Sequence, residues 1–354
     1  MTIEESRAMF PILKDYTYFN TARFCAVPTT VATLQQRYLQ SLSLHGSWEF
    51  SEWSEKYELT RQLSADMMGS TADQVFFIPN VSTGINLSSL YLPKGRKVVL
   101  LDKDFPSVVL PWRSHGFEIE SCDYKAANLY EELEAILSQG NKILCMSWVQ
   151  SADGFEIDLD RIYDLCKRHD AILVLDGTQG FGAIPFKVDP DLSMVFLTSA
   201  FKWLLAGYGV ALGYVSEDLM PHFKAFQGWN SIDFGTGHAK TGAASLEVGN
   251  AMFFNVLSLY EGLSLINEVG MEVIYKKNTT YRTSLINALQ NAGHTVDLAE
   301  GTRSTIFRVE VPDGKYEELA AAKVQTSKQR GKLRLSPHFY NNEADIDRLI
   351  AALN

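Results

Sequence analysis

Short apolar segments alternate with helical patterns along the first two thirds of the chain. The apolar segments cover residues 75–78, 97–101, 142–147, 171–175, 194–197 and 210–215. The first five are apolar-rich rather than alternating, which predicts strands buried on both faces of a mainly parallel sheet. Helical periodicity lies between the strands, as at 129–139 and 160–169. This order predicts an α/β domain with helices packed on a doubly wound sheet.

A different pattern begins at residue 246. Helical periodicity runs from 246 to 291 and predicts a long helix with at least one break. A strand at 304–311, a helix at 315–323, a short strand at 333–335 and a final helix at 342–353 come next. Acidic residues open the last helix, where the helix dipole favours them. We therefore expect boundaries that divide the chain into 1–20, 21–250 and 251–354.

The charge balance narrows the range of partners. The chain of 354 residues has 32 basic and 42 acidic side chains and a net charge of -10. An acidic surface disfavours nucleic acids and anionic membranes, although a local basic pocket can still bind a phosphate. We find neither an apolar run of about 20 residues nor an apolar signal core in MTIEESRAMF. These features predict a cytoplasmic protein without nucleic-acid or membrane partners.

The cysteines suggest packing rather than chemistry. Cys25, Cys122, Cys145 and Cys166 form no CxxC pair and lack the spacing of a zinc site. We expect buried free thiols and no metal.

Two polar residues come after predicted strands and could carry chemistry. Asp176 ends the segment A-I-L-V-L-D, and ligands of open α/β sheets bind at the carboxyl ends of strands. It could hold a proton on a ligand nitrogen, or simply cap the next helix. Lys202 follows the strand at 194–197 among apolar and aromatic residues. It either extends towards solvent or is buried, and burial would lower its pKa and free its amine for covalent chemistry.

A third segment, P-N-V-S-T-G-I-N at 79–86, lies between a strand and a helix. Hydroxyls at the start of a helix can form an anion site with the backbone N–H groups. Ordinary capping by Ser82 or Thr83 explains the same residues. Neither GxGxxG nor GxxxxGK[ST] follows a strand, which argues against a nucleotide-binding protein.

Taken together, the loop at 79–86, D-G-T-Q at 176–179 and K-W-L-L-A-G-Y-G at 202–209 form an ordered set, with Lys202 placed 26 residues after Asp176. From residue 18 to residue 341 the chain resembles the class-V aminotransferase group of fold-type I pyridoxal-phosphate enzymes. This group includes cysteine desulfurases, kynureninases, isopenicillin N epimerase-like proteins and selenocysteine lyases. The resemblance implies a large domain (21–250) with a mainly parallel, seven-stranded-type sheet that binds pyridoxal 5'-phosphate. It also implies a small C-terminal α+β domain and an N-terminal segment (1–20) near the active site.

The resemblance assigns roles around the cofactor ring. Lys202 would form the Schiff base and move the proton at the substrate α-carbon. Asp176 would pair with the pyridinium nitrogen and keep the ring an electron sink. Gln179 and Ser151 match positions beside the phenolic oxygen of the ring, and Phe105 matches the residue that stacks on it.

Further roles concern the phosphate and the subunit contact. Ser82, Thr83 and Ser199 match the residues that hold the phosphate. Asn250 matches a position that reaches the phosphate of a neighbouring subunit. The resemblance thus implies a homodimer with shared active sites.

On the substrate side, Arg334 matches the arginine that binds the α-carboxylate, and Asn20 is a second expected substrate contact. Leucines flank Arg334 in K-L-R-L-S, so it should face the opposite side of a short strand. Arg23 and Phe24 stand where many relatives have glycine-rich sequence, and they could shape the side-chain pocket. For three tryptophans, Trp48, Trp53 and Trp229, we assign no catalytic role.

These matches predict an enzyme that acts on a small amino acid, as an aminotransferase or as a C–S or C–Se lyase. Alternatives are an isopenicillin N epimerase-like epimerase and a kynureninase-like hydrolase. The loop 320–330 contains no cysteine, which disfavours a cysteine desulfurase with a cysteine nucleophile. A non-catalytic pyridoxal-phosphate-binding protein is the least favoured alternative, because Lys202, Asp176, Gln179 and Arg334 are all present.

Overall fold

The computed structural model describes residues 1–46, 49–233 and 235–354. The helices are α1 (Ile3–Arg7), α2 (Thr29–His45), α3 (Phe50–Met68), α4 (Val81–Tyr91), α5 (Pro106–Ser114), α6 (Leu129–Leu137), α7 (Leu159–Arg168), α8 (Phe253–Val269), α9 (Met271–Asn291), α10 (Lys315–Ala321) and α11 (Glu343–Leu353). The strands are β1 (Thr17–Tyr18), β2 (Val75–Ile78), β3 (Lys97–Leu101), β4 (Ile119–Cys122), β5 (Lys142–Ser147), β6 (Ile172–Asp176), β7 (Met194–Ser199), β8 (Ala211–Val215), β9 (Val296–Asp297), β10 (Phe307–Val309), β11 (Val324–Gln325), β12 (Ser327–Gln329) and β13 (Lys332–Leu335).

The large sheet has seven strands in the order β2-β8-β7-β6-β5-β3-β4. Strand β8 is antiparallel to its neighbours β2 and β7, and the other pairs are parallel. Successive side chains of one strand enter two different apolar cores: Leu173 and Leu175 pack in one, Ile172 and Val174 in the other. Both faces are therefore covered, which is why these strands are continuously apolar. The predicted fold, a mainly parallel seven-stranded sheet, is confirmed.

Helix α4 lies unusually close to this sheet. A Cβ atom on Gly84 would stand 2.5 Å from the side chain of Leu197 on β7, so only glycine permits the observed approach. The close packing places the N-terminus of α4 at the carboxyl edge of the neighbouring strands.

The C-terminal part of the chain forms a four-stranded antiparallel sheet in the order β12-β13-β10-β9. Leu333 and Leu335 enter its apolar core, which includes residues of α9 and α11, and Arg334 points away from them. The N-terminal segment joins this region because β1 pairs in parallel with β11. The division at residues 20 and 250 stays a prediction.

A buried ion pair fixes the segment that leads to α8. Arg61 on α3 contacts Glu247 through Nη1 to Oε1 at 2.6 Å and Nη2 to Oε2 at 3.1 Å. Glu247 also accepts hydrogen bonds from the Phe77 backbone on β2 and from the Tyr57 hydroxyl. Helix α3, strand β2 and the segment before α8 therefore meet at the Glu247 carboxylate.

Several elements differ from the predictions. Strand β4 was not predicted, because this edge strand is only partly buried and lacks an apolar run. The long helix begins at Phe253 rather than at 246, and it breaks as expected, at Gly270, whose φ is +92°. The strand expected at 304–311 is limited to Phe307–Val309. Before it, hydroxyl oxygens of Thr302 and Ser304 accept backbone N–H groups two residues further on, which favours turns over pairing.

Within the described residues, no helix combines the length and apolar character needed to cross a membrane.

Candidate active site

A cavity of about 150 Å³ opens at the carboxyl edge of the large sheet. Because β5, β6 and β7 are parallel, the residues that come after their last positions meet there. The cavity is lined by Asn80, Val81, Ser82, Phe105, Ser107, Ser147, Val149, Ser151, Asp176, Thr178, Gln179, Ser199, Phe201 and Lys202. The structure thus brings together seven of the residues expected at the cofactor: Ser82, Phe105, Ser151, Asp176, Gln179, Ser199 and Lys202.

Lys202 lies in the turn between β7 and β8 and is 8% exposed. Burial lowers the pKa of its amine to about 8, and the Asp176 carboxylate opposes this shift while Arg334 adds to it. The Lys202 Nζ atom stands 5.4 Å from the centre of the Phe201 ring. Lys202 is therefore a buried amine that is poised for covalent chemistry near neutral pH.

Asp176 is the last residue of β6, and its Oδ1 accepts the backbone N–H of Thr178 at 2.9 Å. The stretch between β6 and β7, all of which is described, contains no helix, so the alternative role as a helix cap is wrong. Burial raises the pKa of the carboxyl, and the hydrogen bonds from Thr178 oppose the rise. Gly177 permits the tight turn, because a Cβ atom there would stand 2.2 Å from the Phe196 ring.

The Gln179 amide is held by partners on both sides. Its Oε1 accepts the indole N–H of Trp203 at 3.0 Å, and its Nε2 donates to the Ala22 carbonyl at 2.9 Å. An indole nitrogen can only donate, so this contact fixes the orientation of the amide. The second N–H of Nε2 remains to donate to a ligand oxygen in the cavity.

Hydroxyl groups and a helix N-terminus form the anion-binding end. Asn80, rather than Ser82 or Thr83, caps α4, because its Oδ1 accepts the Thr83 N–H at 2.9 Å. The Ser82 hydroxyl lies 2.7 Å from that of Ser107, and Ser199 also lines the cavity. Thr83, which we expected to hold the phosphate, does not line the cavity, since its hydroxyl is bonded to Asn80.

Sequence reasoning missed Asp104. This buried carboxylate accepts hydrogen bonds from Ser147 through both its N–H (2.8 Å) and its hydroxyl (2.6 Å), and from the Phe105 N–H at 2.6 Å. Burial raises its pKa. These contacts fix Phe105 beside the cavity, where its ring is 47% exposed and can stack on a ligand. The sequence did contain one signal for Asp104, namely its position shortly after the end of β3, which resembles the position of Asp176 at the end of β6.

Arg334 lies on β13, in the four-stranded sheet. Its Nε donates to the Ser327 hydroxyl at 3.0 Å and its Nη1 to the Ser151 carbonyl at 2.5 Å, so it adjoins a lining residue. Burial lowers its pKa to about 10, and the charge of Arg23 adds to this effect. Asn20 forms a bridge with Ser336, two residues after Arg334. The buried Oδ1 of Asn20 has no hydrogen-bond partner among the described residues and can accept one from a ligand.

Other predicted residues lie elsewhere. Asn250 is exposed and does not line the cavity. Trp53 is buried against Tyr38, with ring centres 4.5 Å apart, so it serves packing. Trp229 is 54% exposed, and Trp48 lies outside the described residues.

The lining residues fit pyridoxal phosphate. The hydroxyls and the α4 N-terminus suit a phosphate, Asp176 suits a protonated ring nitrogen, and the Lys202 amine suits an aldehyde. The Gln179 N–H suits a phenolic oxygen, and Phe105 offers a ring to stack. No group of His, Cys, Asp and Glu suited to a metal occurs in the described part of the chain.

Comparisons with known proteins identify the family of the chain. The family model for aminotransferase class-V matches residues 18–349. The Bacillus subtilis uncharacterized aminotransferase YcbU is 27% identical over 98% of this chain and 96% of its own length. A Pyrococcus abyssi protein named as a probable cysteine desulfurase is 24% identical over 77% of this chain and 73% of its own. The solved complex of the cystine C-S lyase C-DES with cysteine persulfide has a TM-score of 0.82 and 21% identity, covering 97% of this chain and 98% of that one.

The expected cofactor is confirmed as pyridoxal phosphate. The chain belongs to the class-V aminotransferase family and is a pyridoxal-phosphate-dependent enzyme.

Proposed function

We propose that this enzyme acts on a small α-amino acid as a C–S lyase that needs no protein thiol. The observation that carries the proposal is the convergence of three groups on one cavity. Lys202 and Asp176 line it, and Arg334 is bonded to its lining residue Ser151. These are the groups needed to move a proton, to hold a charged ring nitrogen and to bind a carboxylate.

When bound, the cofactor supplies an electron sink for negative charge that develops at the substrate α-carbon. Asp176 holds the proton on the ring nitrogen. The N-terminus of α4 and the hydroxyls of Ser82 and Ser199 hold the phosphate. Arg334 binds the α-carboxylate and thereby orients the α-proton. The amine of Lys202 removes that proton, and its lowered pKa suits this role near neutral pH.

The cysteines support a route without an enzyme-bound sulfur. All four are buried. Burial raises the pKa of Cys25 and Cys166 to about 12 and that of Cys122 to about 11, and it raises that of Cys145 well above its usual value. A thiolate nucleophile is therefore not available near neutral pH. The probable cysteine desulfurases among the relatives support the C–S lyase chemistry itself.

Aminotransfer is the second candidate, because relatives that match nearly the whole chain are named as aminotransferases. Both reactions begin with loss of the α-proton. A lyase then breaks the C–S bond of the substrate, whereas an aminotransferase adds a proton at an atom other than the α-carbon and passes the amino group to a keto acid.

Product analysis on a panel of amino acids, with and without a keto-acid acceptor, tests the proposal. Lyase activity gives ammonia, a keto acid and a sulfur product without acceptor. Turnover that requires the acceptor favours aminotransfer, and inversion at the α-carbon or hydrolysis of a kynurenine-type side chain favours the two remaining alternatives. If the enzyme with its cofactor attached to Lys202 breaks no bond in any amino acid of the panel, the proposal is refuted.

We also propose a homodimer in which Asn250 reaches the phosphate of the neighbouring subunit. Its exposed position supports this, since it is free to contact a partner. Light scattering should give twice the chain mass. Asn250→Ala should weaken cofactor binding without changing that mass, and a monomeric holoenzyme would contradict the proposal.

A further inference from the structure

Among the described residues, two arginines without a carboxylate partner, Arg23 and Arg334, adjoin residues that line the cavity. In the described part of the chain, Arg61, Arg303 and Arg308 each form an ion pair with an acidic residue. Arg334, by contrast, has only neutral acceptors, the Ser327 hydroxyl and the Ser151 carbonyl. Arg23 forms no ion pair with a described residue.

The backbone places Arg23 at the cavity. The preceding residue, Ala22, accepts the hydrogen bond from the lining residue Gln179 at 2.9 Å. The next residue, Phe24, packs its ring 6.1 Å from that of Phe201, another lining residue. Arg23 itself donates its N–H to the Asn20 carbonyl at 3.0 Å. It is therefore held between two contacts to the cavity wall, while its side chain is exposed.

Arg23 and Arg334 are linked through Asn20. The Asn20 carbonyl accepts the N–H of Arg23, and Asn20 forms a bridge with Ser336, two residues after Arg334. The charge of Arg23 also adds to the lowered pKa of Arg334. A ligand with a single carboxylate can neutralise only one of these two charges, whereas a ligand with two acid groups can neutralise both.

We propose that Arg23 binds a second acid group, a carboxylate or a sulfinate, on the substrate side chain, so that the enzyme selects acidic α-amino acids. The assignment rests on the proposed function, because it presumes that Arg334 binds the α-carboxylate. The rings of Phe24, Phe201 and Tyr208 pack together, with Phe24 and Tyr208 4.4 Å apart, and thereby fix the chain on the C-terminal side of Arg23 at the cavity wall.

Matched substrate pairs that all contain a C–S bond test the assignment: S-carboxymethyl-L-cysteine against S-carbamoylmethyl-L-cysteine, and L-cysteine sulfinate against L-cysteine. The wild type should prefer the acidic member of each pair in kcat/KM. Arg23→Gln should lower kcat/KM for the acidic member by at least about tenfold and change that of the neutral member little. Arg23→Lys should restore part of the preference because it keeps the charge. Arg348→Gln, which removes an exposed arginine from α11, is the matched control and should change neither.

A binding measurement separates this inference from the proposed function. Calorimetry of the holoenzyme should show that succinate binds more tightly than succinamate, and that Arg23→Gln abolishes the difference. Equal affinity of the two ligands, or equal losses on both members of each substrate pair, would overturn the role of Arg23 and leave amino-acid chemistry intact. Turnover of no amino acid by the wild type would overturn the proposed function, and the calorimetric comparison would still decide on Arg23.

Discussion

The reactivity of Lys202 in the cofactor-free enzyme should follow a pH profile with its midpoint near 8. Burial disfavours the ammonium form and lowers the pKa to about 8 from the ordinary 10.5. At pH 7 about 10% of such amines are unprotonated, against about 0.03% for an ordinary lysine, a gain of about 300-fold. Only the unprotonated amine attacks an aldehyde, so the rate of cofactor attachment should rise with pH and level off above the midpoint.

Two neighbours should move this midpoint in opposite directions. The Asp176 carboxylate stabilises the ammonium form, so Asp176→Asn should lower the pKa of Lys202 and the midpoint. Arg334 destabilises the ammonium form, so Arg334→Gln should raise both. Each variant changes one charge, and the opposite signs distinguish an electrostatic cause from a general loosening of the site.

Stopped-flow absorbance after mixing the cofactor-free enzyme with pyridoxal phosphate, from about pH 6 to about pH 10, measures the profile. Borohydride reduction and peptide mapping then locate the pyridoxyl group. Binding of 4'-deoxypyridoxine phosphate, which lacks the aldehyde, is the control for titration of the phosphate and ring. A midpoint above about 10, two variants that shift it the same way, or an adduct on another lysine would refute the reasoning.

Three further outcomes can be checked. Asp176→Asn should retain the cofactor in an absorbance titration but lose most turnover, because an amide cannot stabilise a protonated ring nitrogen; full turnover would remove Asp176 from that role. Arg334→Lys should raise KM for α-amino acids at least about tenfold, since each charge-assisted hydrogen bond contributes about 1.5–3 kcal/mol; an amine without the carboxylate should lose much less, and equal losses would contradict carboxylate binding. Glu247→Ala should lower the free energy of unfolding by about 1–3 kcal/mol in urea titrations, because it removes the buried acceptor of Arg61 and leaves it only the ion pair with the more exposed Glu58; a loss below about 0.5 kcal/mol would show that the Arg61–Glu247 pair is dispensable.

The central strands and the two groups that we propose for catalysis could be located from sequence because their signals are local. A strand buried on both faces must be apolar throughout, so β5, β6 and β7 stand out as apolar runs. Parallel strands bring their carboxyl ends to one edge, and chain order alone then places Asp176 and Lys202 near each other. The edge strand β4 was not predicted, because it is only partly buried and therefore has no continuous apolar run.

Two residues near the cavity were harder to predict. Thr83 has the residue type of a phosphate ligand, yet its hydroxyl donates to the side chain of the helix-capping residue Asn80, three residues earlier. Asp104 has no distinctive motif, and its importance is evident only from the two hydrogen bonds that it accepts from Ser147, 43 residues away along the chain. Hydrogen bonds of this kind require a folded arrangement that local patterns do not encode.

The order of residues along the chain is enough to identify the chemical groups that the enzyme carries: a hydroxyl-rich helix start, a strand-end carboxylate, a lysine amine and an arginine near the C-terminus. Their electrostatic state depends on the folded arrangement. Burial lowers the pKa of Lys202 and that of Arg334, and the charge of Arg23, near the other end of the chain, adds to the shift at Arg334. Charge energies depend on distance and on the exclusion of water, and both are set only when the N-terminal segment and the small sheet close over the edge of the large one.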